Sequence, residues 1–340
     1  MKLPVISSLA PAILAGISLI SLVTPALAAV NIDYASIGNI NNANDGATGS
    51  LYGAVAYTYQ IARNETTISQ YSEFLNAVAK TDTYSLYSTQ MTTSNINGIS
   101  RSGVSGSFTY SVTSGSANKP ITYVSWFDAA RFTNWMHNGQ LTGAQNSLTT
   151  EDGAYTLNGA VSGVSVSKNV GATVWIPSEN EWYKAAYYDP NRGGAGVGGY
   201  WEQVTQSNTV TGNTVGVANS ANFYDGDYVG SGTASLPTGN ALTDVGAYGL
   251  NSDSAYGTND QAGNVFEWND AVVLDFGSAR GLRGGSWDYY SINLGASYRD
   301  FNQETLEDNY VGFRVASIPE PTSLVLMMLA SGMMFARRKR

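Results

Sequence analysis

The chain has 340 residues, of which 43% are hydrophobic and only 13% are charged, and its formal net charge is −9. It has no cysteine and one histidine, which excludes disulfides, thiolate metal sites, cysteine nucleophiles and sites built from several imidazoles. The acidic balance argues against a nucleic-acid partner, because phosphate binding needs clustered Lys and Arg. These counts predict a globular domain with an apolar core and a surface poor in charge, which suits a secreted protein.

The first 28 residues have the pattern of a secretory signal peptide. Lys2 supplies a positive start, residues 13–23 form an apolar run, and Ala26 and Ala28 form a small-residue cleavage site. The alternative is a buried N-terminal helix, but three prolines interrupt the stretch. We therefore expect residues 1–28 to be removed by the export machinery.

Three helices are predicted from their capping pairs, in which a hydroxyl residue is followed three positions later by an acid or an amide. The pairs are Thr67 with Gln70, Ser125 with Asp128, and Ser178 with Glu181. Apolar or small residues follow each pair at helical spacing. They are Tyr71, Phe74, Leu75 and Val78, then Trp126, Ala129, Ala130 and Thr133, and finally Trp182, Ala185 and Ala186. These faces should point into the core.

Short strands are predicted at residues 121–124, 173–176 and 311–315, and most of the remaining chain consists of Gly, Asn and Ser loops. Residues 191–243 show no periodicity, and a compact domain tolerates such a stretch only when something else, such as a bound ion, holds it in place. Neither a linker nor a repeat interrupts residues 30–318. We expect one α+β domain with few helices.

The C-terminal residues 319–340 combine a short motif, an apolar run and a basic tail. Pro319, Glu320 and Pro321 precede an apolar run at 323–336, and residues 337–340 are all basic. The run is shorter than the roughly 17 to 25 residues that span a bilayer comfortably, so it predicts transient membrane anchoring. The three parts together resemble the PEP-CTERM sorting signal of Gram-negative bacteria. That resemblance implies cleavage by an exosortase and delivery to the cell surface or extracellular matrix.

Several stretches in order resemble the formylglycine-generating enzyme family, also called the sulfatase-modifying factor family. They are VSWFDA at 124–129, IPSENEW at 176–182, DQAGNVFEW at 260–268, LRGGSW at 282–287 and VGFR at 311–314. The resemblance covers nearly the whole predicted mature chain. It implies the fold of that family, a variant of the C-type lectin fold.

The resemblance also implies bound calcium. On the family pattern, the side chains of Asp260 and Glu267 and the carbonyls of Gly263 and Val265 would hold one ion, in keeping with the preference of Ca²⁺ for oxygen ligands. The residues alone leave an alternative, in which Asp260 caps a turn and Glu267 pairs with an arginine.

A second family calcium site would begin at Asn222 and Phe223, although residues 236–239 offer no matching Asp. Arg314, which ends the last motif, is free to pair with a carboxylate such as Glu181.

The family's oxidation chemistry is not expected in this chain. The copper-binding cysteines would fall near Tyr289 and Leu294, and neither side chain replaces a thiolate. An iron site with several histidines is excluded as well, because His137 is the only histidine of the sequence. It falls in the last turn of the second helix. We therefore predict a non-catalytic protein without copper that is stabilised by calcium.

Tyr-rich and Asn-rich loops suit carbohydrate or another extracellular polymer as the ligand. The rival is a hydrolase or metal enzyme that uses carboxylates alone, which a pocket with two perturbed acids would favour. Asp225, Asp227 and Asp253 lie in Gly-rich stretches and are better explained as turn residues.

Overall fold

The computed structural model describes residues 29–93, 95–210, 212–249, 251–274 and 279–319. The predicted signal peptide with Ala26 and Ala28, and the sorting segment from Glu320 and Pro321 onward, lie outside these residues, whereas Pro319 is described and exposed. Across the described ranges, no helix is long and apolar enough to cross a membrane.

The described chain contains three α-helices, α1 (Ile68–Val78), α2 (Trp126–His137) and α3 (Glu179–Tyr187). Each helix begins with the predicted capping box. The hydroxyl of the N-cap residue accepts a hydrogen bond from the backbone N–H three residues later, and the side chain of that later residue accepts one from the backbone N–H of the N-cap residue. The predicted inward faces of all three helices are buried. Short 3₁₀ helices cover Gly46–Thr48, Thr89–Thr92 and Ser291–Leu294.

Twelve strands are defined within the described residues, and most of them are very short. They are β1 (Tyr34–Ile37), β2 (Tyr59–Ala62), β3 (Ile99–Ser102), β4 (Thr109–Val112), β5 (Val174–Trp175), β6 (Tyr188–Asp189), β7 (Gly199–Tyr200), β8 (Phe266–Val273), β9 (Ala279–Arg283), β10 (Asp300–Gln303), β11 (Val311–Gly312) and β12 (Ala316–Ser317). One four-stranded sheet has the order β1-β2-β12-β5 and another has the order β10-β9-β8-β11. All pairs are antiparallel except β8 with β11, and β3-β4 and β6-β7 form two small ribbons. Few helices and many loops confirm the predicted α+β class.

Two of the three strand predictions need revision. Residues 121–124 are not a strand, since the segment runs without a partner strand into α2 and Tyr123 has a φ of 57°. Within residues 311–315, only the two residues of β11 form a strand. The next strand, β12, begins after this range, at Ala316. The prediction at 173–176 is confirmed by β5.

The last strand of the described chain lies inside the first sheet. Ala316 in β12 is paired with Ile61 in β2 on one side and with Trp175 in β5 on the other. Ile318 then donates to the carbonyl of Thr173. The sheet therefore joins the beginning, the middle and the end of the domain.

The interior is rich in aromatic residues and divides into two clusters. The larger one packs α1 and α2 against the first sheet, with ring contacts among Tyr71, Phe74, Phe132 and Phe313. The smaller cluster gathers α3 and Leu294 with neighbouring loops. This second cluster lies beneath the surface described next.

Candidate functional site

A groove of about 430 Å³ opens beside helix α3. Its walls come from three parts of the chain, namely Asp45 with the 3₁₀ helix Gly46–Thr48, the loop at residues 192–203, and residues 292–297. The groove thus joins segments that are far apart in sequence on one supporting helix.

A largely buried ion-pair cluster holds the segment that forms one wall of the groove. Arg283 of β9 donates to Glu179 of α3 through Nε at 2.9 Å and Nη2 at 2.7 Å. Arg299 binds both oxygens of the same carboxylate at 2.8 Å. The Nη1 group of Arg283 also donates to the carbonyls of Ala296 and Tyr298. One planar guanidinium therefore ties the loop to the helix, as its fork of donors allows.

Two tyrosines of α3 form hydrogen bonds to segments that belong to the walls of the groove. Tyr183 donates to Asp45 Oδ2 at 2.7 Å, and Tyr187 donates to the carbonyl of Leu294 at 2.9 Å. Burial raises the pKa of both phenols well above the ordinary value, and the hydrogen bond to Asp45 adds to the effect at Tyr183. Both hydroxyls therefore stay protonated and remain donors.

Trp201 supplies an aromatic surface on the groove wall. Its indole nitrogen donates to Asp189 Oδ2 at 3.1 Å, and the Arg192 guanidinium lies 4.0 Å from the ring centroid. Arg192 Nη1 and Gln203 Oε1 are buried, and neither has a hydrogen-bond partner in the part of the chain that the structure describes. The wall therefore combines an aromatic ring with polar side chains, although these two atoms are themselves covered by protein.

No sequence pattern predicts the groove residues. One wall, residues 192–203, falls in the stretch 191–243, where no periodic pattern marks which side chains meet, and the other two walls are distant from it in sequence. The only local signal is the cluster of Tyr200 and Trp201 after a run of glycines, which is typical of a loop that presents aromatic side chains.

The predicted calcium ligand Glu267 lies fully buried on β8 and already has partners. Arg314 donates to Oε2 from Nε at 2.6 Å and to Oε1 from Nη2 at 2.7 Å, and Trp182 donates to Oε2 at 2.8 Å. The alternative interpretation of Glu267, as the partner of an arginine, is therefore the contact observed.

The suggested pairing of Arg314 with Glu181 is wrong. Glu181 instead closes the capping box of α3 and accepts from Trp175 and Tyr57. Because Glu181 serves its own helix terminus, Arg314 pairs with the glutamate of the adjacent strand β8.

The other residues of the predicted calcium set form a tightly constrained loop. Asp260 has a φ of 57° and its carboxylate accepts from the backbone of Gly246. Gly263 has a φ of 77°, and a Cβ atom there would lie 2.2 Å from the carbonyl oxygen of Asn222. Only glycine fits at that position. Val265 is fully buried immediately before β8.

Residues of the second predicted calcium site make structural contacts. The Asn222 side chain donates to the carbonyl of Ala241 at 3.1 Å and to Asn264 Oδ1 at 3.0 Å, and its own carbonyl accepts from Asn264 N. The carbonyl of Phe223 accepts from the Asn213 side chain at 3.2 Å. Asn222 thus joins the 241–243 loop to the first predicted site.

These contacts test how the predicted set fits a calcium ion. Glu267 fits poorly, because Arg314 already neutralises its charge and occupies both oxygens. Within the described ranges, no group of three or more His, Cys, Asp or Glu residues is placed to hold a metal ion. Asp260 keeps a carboxylate with a single backbone partner. The neighbouring Glu65, which the sequence analysis did not consider, is buried with no hydrogen-bond partner on either oxygen among the described residues. The calcium site stays a prediction.

The positions expected for copper cysteines hold packed side chains. Leu294 is fully buried in the smaller core cluster, and the ring of Tyr289 lies 4.9 Å from that of Phe266.

His137 ends α2 as predicted, where its Nδ1 accepts from Thr173 N at 3.1 Å and contacts Thr173 Oγ1 at 2.7 Å. The histidine therefore joins α2 to the start of β5.

A second concavity, of about 260 Å³, contains two acids whose pKa values are raised. Burial and the charge of Glu307 raise the pKa of Asp128 to about 7, and burial raises the pKa of Glu307. Arg131 lies on the same wall, but it is paired with Glu151 at 2.8 Å. A reaction catalysed by carboxylic acids would therefore be expected in this cleft.

The arrangement of a few capped helices, two small sheets and long structured loops defines a domain of the formylglycine-generating enzyme type. The family model described as sulfatase-modifying factor enzyme 1-like domain matches residues 46–318. The chain belongs to this family. Comparison with curated protein sequences gives no match.

Solved structures with a similar fold share little sequence with this chain. Treponema denticola variable protein 1 has 18% identity and a TM-score of 0.50, with 86% of this chain and 98% of that chain covered. CarF has 18% identity and a TM-score of 0.48, with coverages of 85% and 99%. PvdO from Pseudomonas aeruginosa has 17% identity and a TM-score of 0.43, with coverages of 78% and 83%. At such identities the likeness concerns the fold alone.

Proposed function

We propose that this protein is exported to the cell surface or extracellular matrix of a Gram-negative-type bacterium and acts there by binding. The signal-like start and the sorting-like end support export and processing by an exosortase, with transient membrane anchoring before cleavage. The absence of cysteine from the sequence, together with Leu294 and Tyr289 at the copper positions, supports a role without oxidase chemistry.

The ligand that the groove favours is a carbohydrate or a similar hydroxyl-rich polymer. The observation that supports it is a groove wall in which the Trp201 ring lies beside the polar side chains of Arg192, Glu202 and Gln203. Aromatic faces pack on sugar rings, while guanidinium and amide groups bind hydroxyls. The bonds from Arg283 to the carbonyls of Ala296 and Tyr298 hold the wall formed by residues 292–297 in place.

A glycan and polymer binding screen on the mature domain tests this proposal. Trp201→Ala should reduce binding of any ligand found by at least tenfold, because a packed aromatic contact contributes on the order of 1 to 3 kcal/mol. Phe108→Ala is the matched control, since Arg101 stacks on Phe108 at 4.2 Å outside the groove. Equal loss in both variants, or no bound glycan at all, would contradict the proposal.

Calcium binding is the second part of the proposal. A ligand that binds only the folded state at a Kd of about 0.1 mM, present at about 1 mM, stabilises that state by about 1.4 kcal/mol. Chelation should therefore lower the melting temperature of the mature domain. An unchanged melting curve in chelator would exclude the site.

The proposed lack of oxidase activity has its own test. The protein, incubated with copper, oxygen and a sulfatase-type cysteine peptide, should yield no formylglycine by peptide mass beside an active family enzyme. His137→Ala should lower stability modestly and change no activity. Product above the blank without protein would show that a copper site forms without thiolates.

A second candidate function is a carboxylate-dependent hydrolase in the cleft of Asp128 and Glu307. Two acids with raised pKa values in one cleft are the observation that favours it. A panel of chromogenic glycosides and esters would test it. Activity abolished by Glu307→Gln would favour the hydrolase over the binding protein.

A further inference from the structure

A concavity of about 610 Å³ lies where the described chain begins and ends, and we call it the terminal groove. Val30, Ile32 and Tyr34 from the start of the domain line it together with Ile318 and Pro319 from the end. None of the described residues that line it is charged. The two ends of the domain therefore build one uncharged and largely apolar surface.

The floor of the terminal groove is the outer face of the first sheet. Ser317 of β12 is paired with Gln60 of β2 on one side and with Val174 of β5 on the other, and all three line the groove. Side chains alternate across a strand, so the next row points the opposite way into the core. That buried row consists of Ile61, Ala316 and Trp175. Met136 of α2 adds a partly exposed apolar wall. Three paired strands therefore fix the shape of the floor.

The sequence places the predicted anchor close to this surface. Ile318 donates to the carbonyl of Thr173, so the domain holds the chain up to that residue. Pro319 lines the groove, and four steps along the chain lead from it to Ser323, where the apolar run at 323–336 begins. Four fully extended residues span at most about 14 Å. A chain anchored through that run therefore keeps the terminal groove within this distance of the start of the anchor.

The predicted cleavage also takes place beside the groove. Enzymes and other proteins recognise an extended peptide through backbone hydrogen bonds and side-chain pockets. Ala316 and Ser317 are already paired on both sides, with β2 and with β5, so their backbone has no free edge to offer. A peptidase that reaches Glu320 therefore meets the surface of the folded domain on the N-terminal side of the motif.

We propose that the terminal groove is a docking site for the peptidase that removes the sorting segment, and that it accepts an apolar segment of that enzyme. This inference rests on the export and processing proposed above. The concave shape favours a protruding protein segment over the flat surface of a bilayer, and the uncharged lining favours an apolar partner. The domain thus contributes to its own selection for cleavage, in addition to the motif at 319–321.

The test measures C-terminal processing in the native cells, as the ratio of cleaved to uncleaved chain by intact mass. Met136→Glu puts a charge into the groove far from the motif in sequence. It should slow this processing by about tenfold or more, because a charge buried in an apolar contact is strongly unfavourable. Val104→Glu is the matched control, since Val104 is 71% exposed and lies outside the groove. The control should be cleaved like the wild type, and removal of residues 1–28 should be unchanged in both variants.

A second measurement does not depend on how well Met136→Glu folds. Residues 319–340, joined to an unrelated folded carrier of similar size, should be cleaved about tenfold more slowly than the same residues on their own domain, because the docking contact is missing. Equal rates on the two carriers would overturn the docking site.

The outcomes separate the failure of this inference from the failure of the proposed function. A wild-type chain that keeps its C-terminal tail would overturn the proposed sorting and the docking site together. Wild-type cleavage of Met136→Glu at an unchanged melting temperature would overturn the docking site and leave the sorting standing. Binding of the processed protein to phospholipid vesicles, abolished by Met136→Glu, would assign the groove to the bilayer and also overturn the docking of the peptidase.

Discussion

At the level of single residues, several buried charged groups among the described residues have full sets of partners. Arg283 and Arg299 share Glu179, while Arg314 uses every donor that it has. Buried charges are tolerated when paired and hydrogen-bonded, and removing one member costs far more than the pair contributes. Glu65 departs from this pattern, because neither of its oxygens has a hydrogen-bond partner among the described residues.

Gly263→Ala should destabilise the domain strongly, because the new Cβ would meet the Asn222 carbonyl at 2.2 Å and the φ of 77° disfavours alanine. Gly216→Ala is the matched control, with a φ of 79° and open space around it. The control should lower the free energy of unfolding by about 1 kcal/mol, as left-handed backbone alone costs. Urea unfolding of both variants measures the difference in the free energy of unfolding. Equal losses of stability would show that the backbone at Asn222 moves to accommodate the new Cβ atom.

Asp128 predicts a dependence of stability on pH. Its pKa of about 7 in the folded state lies above its ordinary value near 4, so folding favours the protonated acid. The stabilisation is complete below pH 4 and is lost as pH rises to 7, by at most about 1.4 kcal/mol for each pH unit. Asp128→Asn should flatten this part of the pH profile in urea unfolding. An unaltered slope in the variant would mean that other groups cause it.

At the level of elements, the helices could be predicted from sequence and the sheets largely could not. A capping box and an apolar stripe are local signals, and all three helices begin where those signals lie. Strands of two residues carry no periodicity, so their pairing depends on the loops around them, as for β11 at Val311–Gly312. The groove beside α3 could not be predicted for the same reason, because its walls come from segments without periodicity. The sequence left open which arginine pairs with Glu267, since β8 and β11 become neighbours only in the folded chain.

The loop at 292–298 should depend on the fork of Arg283. Arg283→Lys keeps the charge but cannot bond Glu179 and the carbonyls of Ala296 and Tyr298 together. Backbone amides of this loop should then exchange with deuterium at least tenfold faster. Arg299→Lys is the control, because the bonds given for Arg299 reach Glu179 and not the loop carbonyls. Equal acceleration in both variants would assign the effect to the carboxylate alone.

At the level of the whole molecule, the predicted processing sites flank the folded domain. Val30 N and the Val30 carbonyl both bond to the Gln140 side chain, and Ile318 is bonded to Thr173. The domain is therefore held at both ends immediately inside the expected cleavage points.

Intact mass measures the proposed processing directly. Protein recovered from the native cell surface should lack residues 1–28 and the basic residues 337–340. A variant with Glu320 and Pro321 replaced by alanine should keep the C-terminal tail while its N-terminal processing is unchanged. Full-length wild-type chain at the surface would refute both cleavages.

The place of β12 inside the first sheet has a consequence for the timing of export. The strand that completes the sheet, and the arginine that binds residues 62, 63, 259 and 267, are among the last parts of the domain to be synthesised. A chain leaving the cell N-terminus first cannot close its core until residue 317 has passed through. On the proposed export route, the domain would therefore cross the membrane incomplete and would fold only after β12 has emerged.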